Sequence, residues 1–135
     1  MTDLPASDAL QDLMFTALDH GVKSASDGGA VIPFLVEEDV DGTRKIVRFD
    51  AGELQESVAR AREAAAVSAA ERVALCFDGY LTDDTGRFDA VYIVAQERGG
   101  PSALTFIQRY RPADAPGGFG ELGNPAYAGT DDRLF

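Results

Sequence analysis

Residues 72–111, RVALCFDGYLTDDTGRFDAVYIVAQERGGPSALTFIQRYR, constrain this chain more than any other stretch. Three runs rich in β-branched and aromatic residues are separated by Asp83-Asp84-Thr85-Gly86 and by Gly99-Gly100. That is the pattern of a three-stranded antiparallel meander. Side chains alternate across a strand, so assigning the two turns allots every residue to a face. Asp83–Gly86 reads as a type I turn closed by a left-handed glycine, a G1-bulge hairpin. It sets Asp83 opposite Arg87, Gly79 opposite Val91 and Phe77 opposite Ile93. Gly99-Gly100 reads as a two-residue turn, with Ala95 opposite Leu104 and Ile93 opposite Phe106.

This register predicts one core stripe of Val73, Leu75, Phe77, Leu81, Val91, Ile93, Ala95, Leu104, Phe106 and Tyr110. The second face carries Ala74, Cys76, Asp78, Tyr80, Phe88, Ala90, Tyr92, Val94, Ile107, Arg109 and Arg111. On it Asp78 lies opposite Tyr92, and Arg109 sits two strands across. Asp78, Tyr80, Tyr92, Arg109 and Arg111 form a candidate binding patch, because tyrosine and arginine join large contact area to directional hydrogen bonds. The same residues suit a half-buried polar network in which Arg109 neutralises Asp78. A catalytic use needs Asp78 as acid or base, a tyrosine assisting and Arg109 holding an anion. No nucleophile–base pair is readable, so no catalytic residue is assigned.

Before the meander, Ser7 is an N-cap for a helix whose Leu10, Leu13, Met14, Ala17 and Leu18 share one face. Gly21 is a candidate stop, with one further turn as the alternative, and Asp27-Gly28-Gly29 ends the helix. His20 then falls at the helix C-terminus, where the dipole favours its charged form. Residues 1–6 read as a frayed tail. Residues 30–37, AVIPFLVE, read as a strand apolar on both sides, although Pro33 belongs at an edge or bulge. Turn chemistry at 39–42 returns the chain as TRKIVRF, completing a hairpin. Asp50 with Glu53 resembles a capping box opening a second helix with a thin stripe of Leu54, Val58, Ala61 and Ala65. Residues 112–135 hold three prolines and five glycines without periodicity, which argues against regular structure. Phe119, Leu122, Tyr127, Leu134 and Phe135 would anchor that segment to the domain or to a partner.

The expected organisation is one α+β domain over 1–111, a Pro/Gly-rich docking segment over 112–135, and a mostly antiparallel five-stranded sheet. The order helix, hairpin, helix, meander resembles the roadblock/profilin-like architecture. That resemblance is one of topology, implies the first hairpin beside the last meander strand, and implies no function.

A net charge of −11 repels polyanions, so neither nucleic acid nor an anionic membrane is an expected partner. With one cysteine, Cys76, and one histidine, His20, there is no internal disulfide and no Cys/His zinc site. Cys76 in mid-strand reads as a buried, inert thiol. The acidic loops at 37–42 and 82–89 lack calcium-loop spacing and read as hairpin turns, and 117–123 lacks the residues of a phosphate loop. No metal and no cofactor is expected, and the chain reads as cytoplasmic. The leading functional expectation is a small acidic non-catalytic protein acting through protein–protein contact or homo-oligomerisation. One alternative is a small-ligand binder or enzyme with a pocket around Asp78, Tyr80 and Arg109. Another is an inhibitor or immunity-type partner of a basic protein.

Overall fold

The computed structural model describes residues 6–28 and 31–135. Ala30, the first residue of the expected strand, Gly29, and residues 1–5 of the expected frayed tail lie outside the described residues.

Helix α1 (Asp8–Ser26) starts where expected, with the Leu10 amide donating to the Ser7 hydroxyl at 3.1 Å. Its stripe of Leu10, Leu13, Met14, Ala17 and Leu18 is buried. The helix does not stop at Gly21, which lies against the sheet instead. His20 is therefore inside the helix, not at its end. Its ring meets Phe34 edge-on at 4.9 Å, and its Nε2 lies 3.3 Å from the Arg48 guanidinium.

Strands β1 (Phe34–Glu38) and β2 (Arg44–Arg48) form the expected hairpin. Pro33 explains why β1 begins late: it has no N–H for a ladder, and only its carbonyl is used, accepting from the Phe49 amide at 2.9 Å. Helix α2 (Leu54–Ala66) opens at Glu53 without a side-chain cap, so the Asp50 capping box does not form. Asp50 accepts from the Gly52 amide at 3.2 Å, and Ser57 ties down the approach by accepting from Ala51 and donating to the Glu53 carbonyl.

The meander follows as β3 (Arg72–Asp83), β4 (Gly86–Glu97) and β5 (Ala103–Arg111). The last residues are not irregular. They supply β6 (Gly120–Glu121) and β7 (Ala126–Asp131), both antiparallel to β5. The expected five-stranded sheet has seven strands, in the order β2-β1-β3-β4-β5-β6 with β7 also on β5. The first hairpin thus lies beside the first meander strand, not the last, and the roadblock/profilin-like order is not the one adopted.

Both sheet faces carry a core. On one, α1 packs against Phe34, Val36, Ala74, Cys76, Val91, Ile93, Leu104 and Phe106. On the other, Ala61 and Ala65 of α2 pack against Leu35, Val73, Leu75 and Val94, with Leu134 of the tail alongside. A helix is about 10 Å across and strands lie about 4.8 Å apart, so α2 alone roofs only about two strands. Its face of the sheet is left partly uncovered.

Candidate functional site

The β4–β5 register is the expected one, with Ile93 opposite Phe106 and Ala95 opposite Leu104. The β3–β4 register is not. Asp83 pairs with Gly86, Phe77 with Tyr92, and Asp78 with Val91. The loop is the two-residue Asp84-Thr85, held by the Asp83 carboxylate, which accepts from the Thr85 amide at 2.7 Å and its hydroxyl at 2.6 Å. Neither loop residue has positive φ; Gly86, at φ 138°, absorbs the twist inside the ladder instead of forming a bulge. One residue of slip turns β3 over relative to β4. Val73, Leu75 and Phe77 therefore face α2, while Val91 and Ile93 face α1.

The candidate patch is divided accordingly. Asp78 is on the α1 face, where its carboxylate accepts from the Tyr110 hydroxyl at 2.7 Å and from the Gly79 amide at 3.1 Å. Burial raises its pKa, against the Tyr110 hydrogen bond, and Asp89 raises it further. Burial and that carboxylate push the Tyr110 hydroxyl far above its ordinary range. Tyr80 is on the same side but 57% exposed, with the Arg87 guanidinium 3.7 Å over its ring. Tyr92, Arg109 and Arg111 are on the α2 face. Arg109 reaches Asp83 at 3.4 Å and lies over Phe88. Arg111 donates to the Gly118 carbonyl at 2.7 Å and so holds the tail. The structure does not bring Asp78 and Arg109 onto one surface.

It brings together a different set. Phe77 and Tyr92 stack face to face, ring centres 5.3 Å apart and 6° from parallel. They floor a cleft of about 480 Å³ whose other wall is Leu54 and Val58 of α2. Gly79 permits this: a Cβ there would lie 3.0 Å from the Tyr92 ring, which crosses the glycine. The Tyr92 hydroxyl then donates to the Tyr80 carbonyl at 2.6 Å.

The cleft opens onto an unpaired stretch of backbone. The first residue of β1, Phe34, lies opposite Cys76, whereas β3 continues past it to Asp83. Among the described residues no strand pairs with Phe77–Asp83 on that side. Ladder hydrogen bonds alternate along an antiparallel strand, and the Asp83–Gly86 pair sets the phase. Phe77, Gly79 and Leu81 turn their amides and carbonyls to β4, while Asp78, Tyr80 and Thr82 turn theirs outward. Among the described residues, only the Tyr80 carbonyl of these is met, by the Tyr92 hydroxyl.

Two polar systems escape a reading of the sequence because they need the register. Arg44, Glu38, Arg72 and Glu97 form a row of alternating charge across β2, β1, β3 and β4. Glu38, 4% exposed, accepts from Arg72 at 2.6 Å and from Arg44 at 2.5 Å, and α1 adds Asp12, 2.7 Å from Arg44. Burial raises the Glu38 pKa, but the two guanidinium hydrogen bonds outweigh it and hold the carboxyl below its ordinary value. The second system is a pair of buried glutamines. Gln96 accepts from the Leu134 amide at 2.6 Å, and Gln108 donates to the Gly123 carbonyl at 3.1 Å. Both fix the tail.

Cys76 is fully buried, as expected, and burial pushes its thiol well above the usual range. Among the described residues no helix is long and apolar enough to cross a membrane. Comparison with protein-family models, with curated proteins and with solved structures found no match to this chain.

Proposed function

We propose that this protein acts by binding another polypeptide, through the cleft beside α2 and the open edge of β3. The observation that carries the reading is the coincidence of the two. A stacked aromatic floor faces apolar helix residues, and unpaired backbone runs alongside. Apolar contact and main-chain pairing are the two elements by which sheets recognise extended chains. Leu54 is 45% exposed although it faces this cleft, as an interface residue awaiting cover would be. A small-ligand reading rests on the same cleft, whose volume lies in the range of about 300–1,000 Å³ for such sites.

A displayed library of random peptides, panned against the wild type, Leu54→Gln and Val40→Gln, tests the proposal. Val40 is an exposed control in the β1–β2 turn. Peptides enriched on the wild type and the Val40 variant, but lost on the Leu54 variant, are the expected result. Failure to enrich any peptide, or enrichment indifferent to Leu54, overturns it. A metabolite that raises the melting temperature of the wild type only, with no peptide enriched, replaces it with the small-ligand reading.

A further inference from the structure

We infer that the occupant of this surface is an extended segment carrying lysine or arginine, which adds to β3 as the strand that β1 leaves missing. The inference rests on the proposed binding role and names the partner's chemistry.

Geometry supplies the first part. The outward groups of Asp78, Tyr80 and Thr82 lie in line with those that β3 offers to β1 over Arg72–Cys76. A chain entering there continues the sheet beyond Pro33, which has no N–H for a ladder, once the Tyr92 hydroxyl gives up or shares the Tyr80 carbonyl. At about 3.3 Å per residue, the seven positions from Phe77 to Asp83 take a strand about 20 Å long. Its side chains would alternate. One set would enter the cleft against Leu54, Val58 and the Phe77–Tyr92 stack, and so be apolar. The other set would lie beside Tyr80 on the opposite face.

Charge supplies the second part. Of the cationic groups around the edge, Arg62 faces Asp131 at 3.6 Å and Arg109 faces Asp83 at 3.4 Å, while Arg87 lies over the neutral Tyr80 ring and keeps its charge. Glu53, before the first turn of α2, and Asp84, at the hairpin loop, are exposed and have no ion pair among the described residues. They lie in sequence beside the two ends of the surface, next to Leu54 and Asp83. A basic segment meets this field favourably. A second copy of the chain carries the same net charge of −11, which disfavours self-association. An acidic segment is disfavoured for the same reason.

Three fluorescent peptides of about ten residues, the length a strand on this edge needs with short flanks, test the inference. The first alternates Val and Thr with Lys at both ends. The second replaces Lys by Glu. The third is the Lys peptide N-methylated at every non-terminal residue, which removes the ladder donors of both its edges. Expected are saturable binding of the Lys peptide, weakened by salt and by Leu54→Gln, and affinity for the Glu peptide lower by roughly tenfold or more at low salt. The methylated peptide should not bind. Bound Lys peptide should slow hydrogen exchange at the Asp78, Tyr80 and Thr82 amides. Equal binding of the Lys and Glu peptides, tolerance of N-methylation, or unchanged exchange at those amides overturns strand addition by a basic segment. If the library yields Leu54-dependent binders while the Lys peptide does not bind, this inference fails and the binding role stands. If neither binds, both fail.

Discussion

Gly21 of α1 lies so close to Cys76 of β3 that a Cβ on the glycine would fall 2.6 Å from the Cys76 sulfur. The same carbon would be 3.0 Å from Val91. The glycine is thus the point at which α1 meets the sheet, and it lies in mid-helix at an ordinary backbone angle. Gly21→Ala gains about 1 kcal/mol in helix propensity but must force apart a buried contact, a cost of about 1–3 kcal/mol. Net destabilisation in a denaturant titration is expected. Adding Cys76→Ala should recover most of the loss, since the two sites share one contact. A more stable Gly21→Ala single variant would contradict the contact.

The row Arg44–Glu38–Arg72–Glu97 should make stability depend on pH through Glu38. Its folded pKa lies below the ordinary glutamate value. The contribution is therefore complete above about pH 4.5, the unfolded range, and is lost as pH falls through the depressed folded value. Glu38→Gln leaves two guanidinium groups facing a neutral amide, though each keeps a second carboxylate, Asp12 or Glu97, and is expected to cost about 1–3 kcal/mol at neutral pH. The acid limb of its stability curve should also be shallower. Denaturant midpoints measured from pH 3 to 7 check both statements.

Asp78 has the opposite sign. Its folded pKa is raised by burial, so the native state holds the proton more tightly than the unfolded chain. Stability then falls as pH rises from the ordinary aspartate range through the folded value. Asp78→Asn, which still offers an oxygen to Tyr110, should gain stability at neutral pH and lose that part of the pH dependence. Tyr110→Phe should be destabilising by about 1–3 kcal/mol, because the half-buried carboxylate loses its donor. The two variants moving in the same direction at pH 7 would sink this account.

The tail should behave as part of the sheet. Leu134 is buried in the core under α2, and Leu134→Ala is expected to cost about 2–4 kcal/mol. Gln96→Ala, which strands the Leu134 amide, should speed hydrogen exchange along β7 while leaving β3 protected. Uniform acceleration across the whole sheet would show that the tail is not a separately anchored unit.

Much of the architecture was legible because it is local. Ser7 caps α1, the five apolar residues that follow are buried together, the β1–β2 hairpin forms, and β4–β5 takes the expected register, although through a longer loop, 98–102, than the expected two-residue Gly99-Gly100 turn. The tail was misread because AYAGTD has one large apolar residue, Tyr127, and gives no alternation. Its pairing depends on β5 and on two glutamines far away in sequence. The candidate site was misread for a narrower reason. Asp83-Asp84-Thr85-Gly86 suits a bulged and an unbulged loop alike, and the choice lies in the φ of one glycine. Of the five residues of the expected patch, Asp78, Tyr80 and Tyr92 border the cleft, whereas Arg109 and Arg111 do not.

What the sequence determined by itself was which segments before residue 112 become helices and strands, where most turns lie, and the acidic charge. Those follow from propensity, capping and side-chain period within a few residues of chain. Tertiary structure alone decided that β1 pairs with β3, that β3 presents Phe77 rather than Asp78 to α2, and that the Phe77–Asp83 edge stays open. Such outcomes depend on register and on which faces find cover. A one-residue slip inverts a face, and the partners that select between registers, α1 packed at Gly21 and Tyr110 reaching Asp78, are distant in the chain.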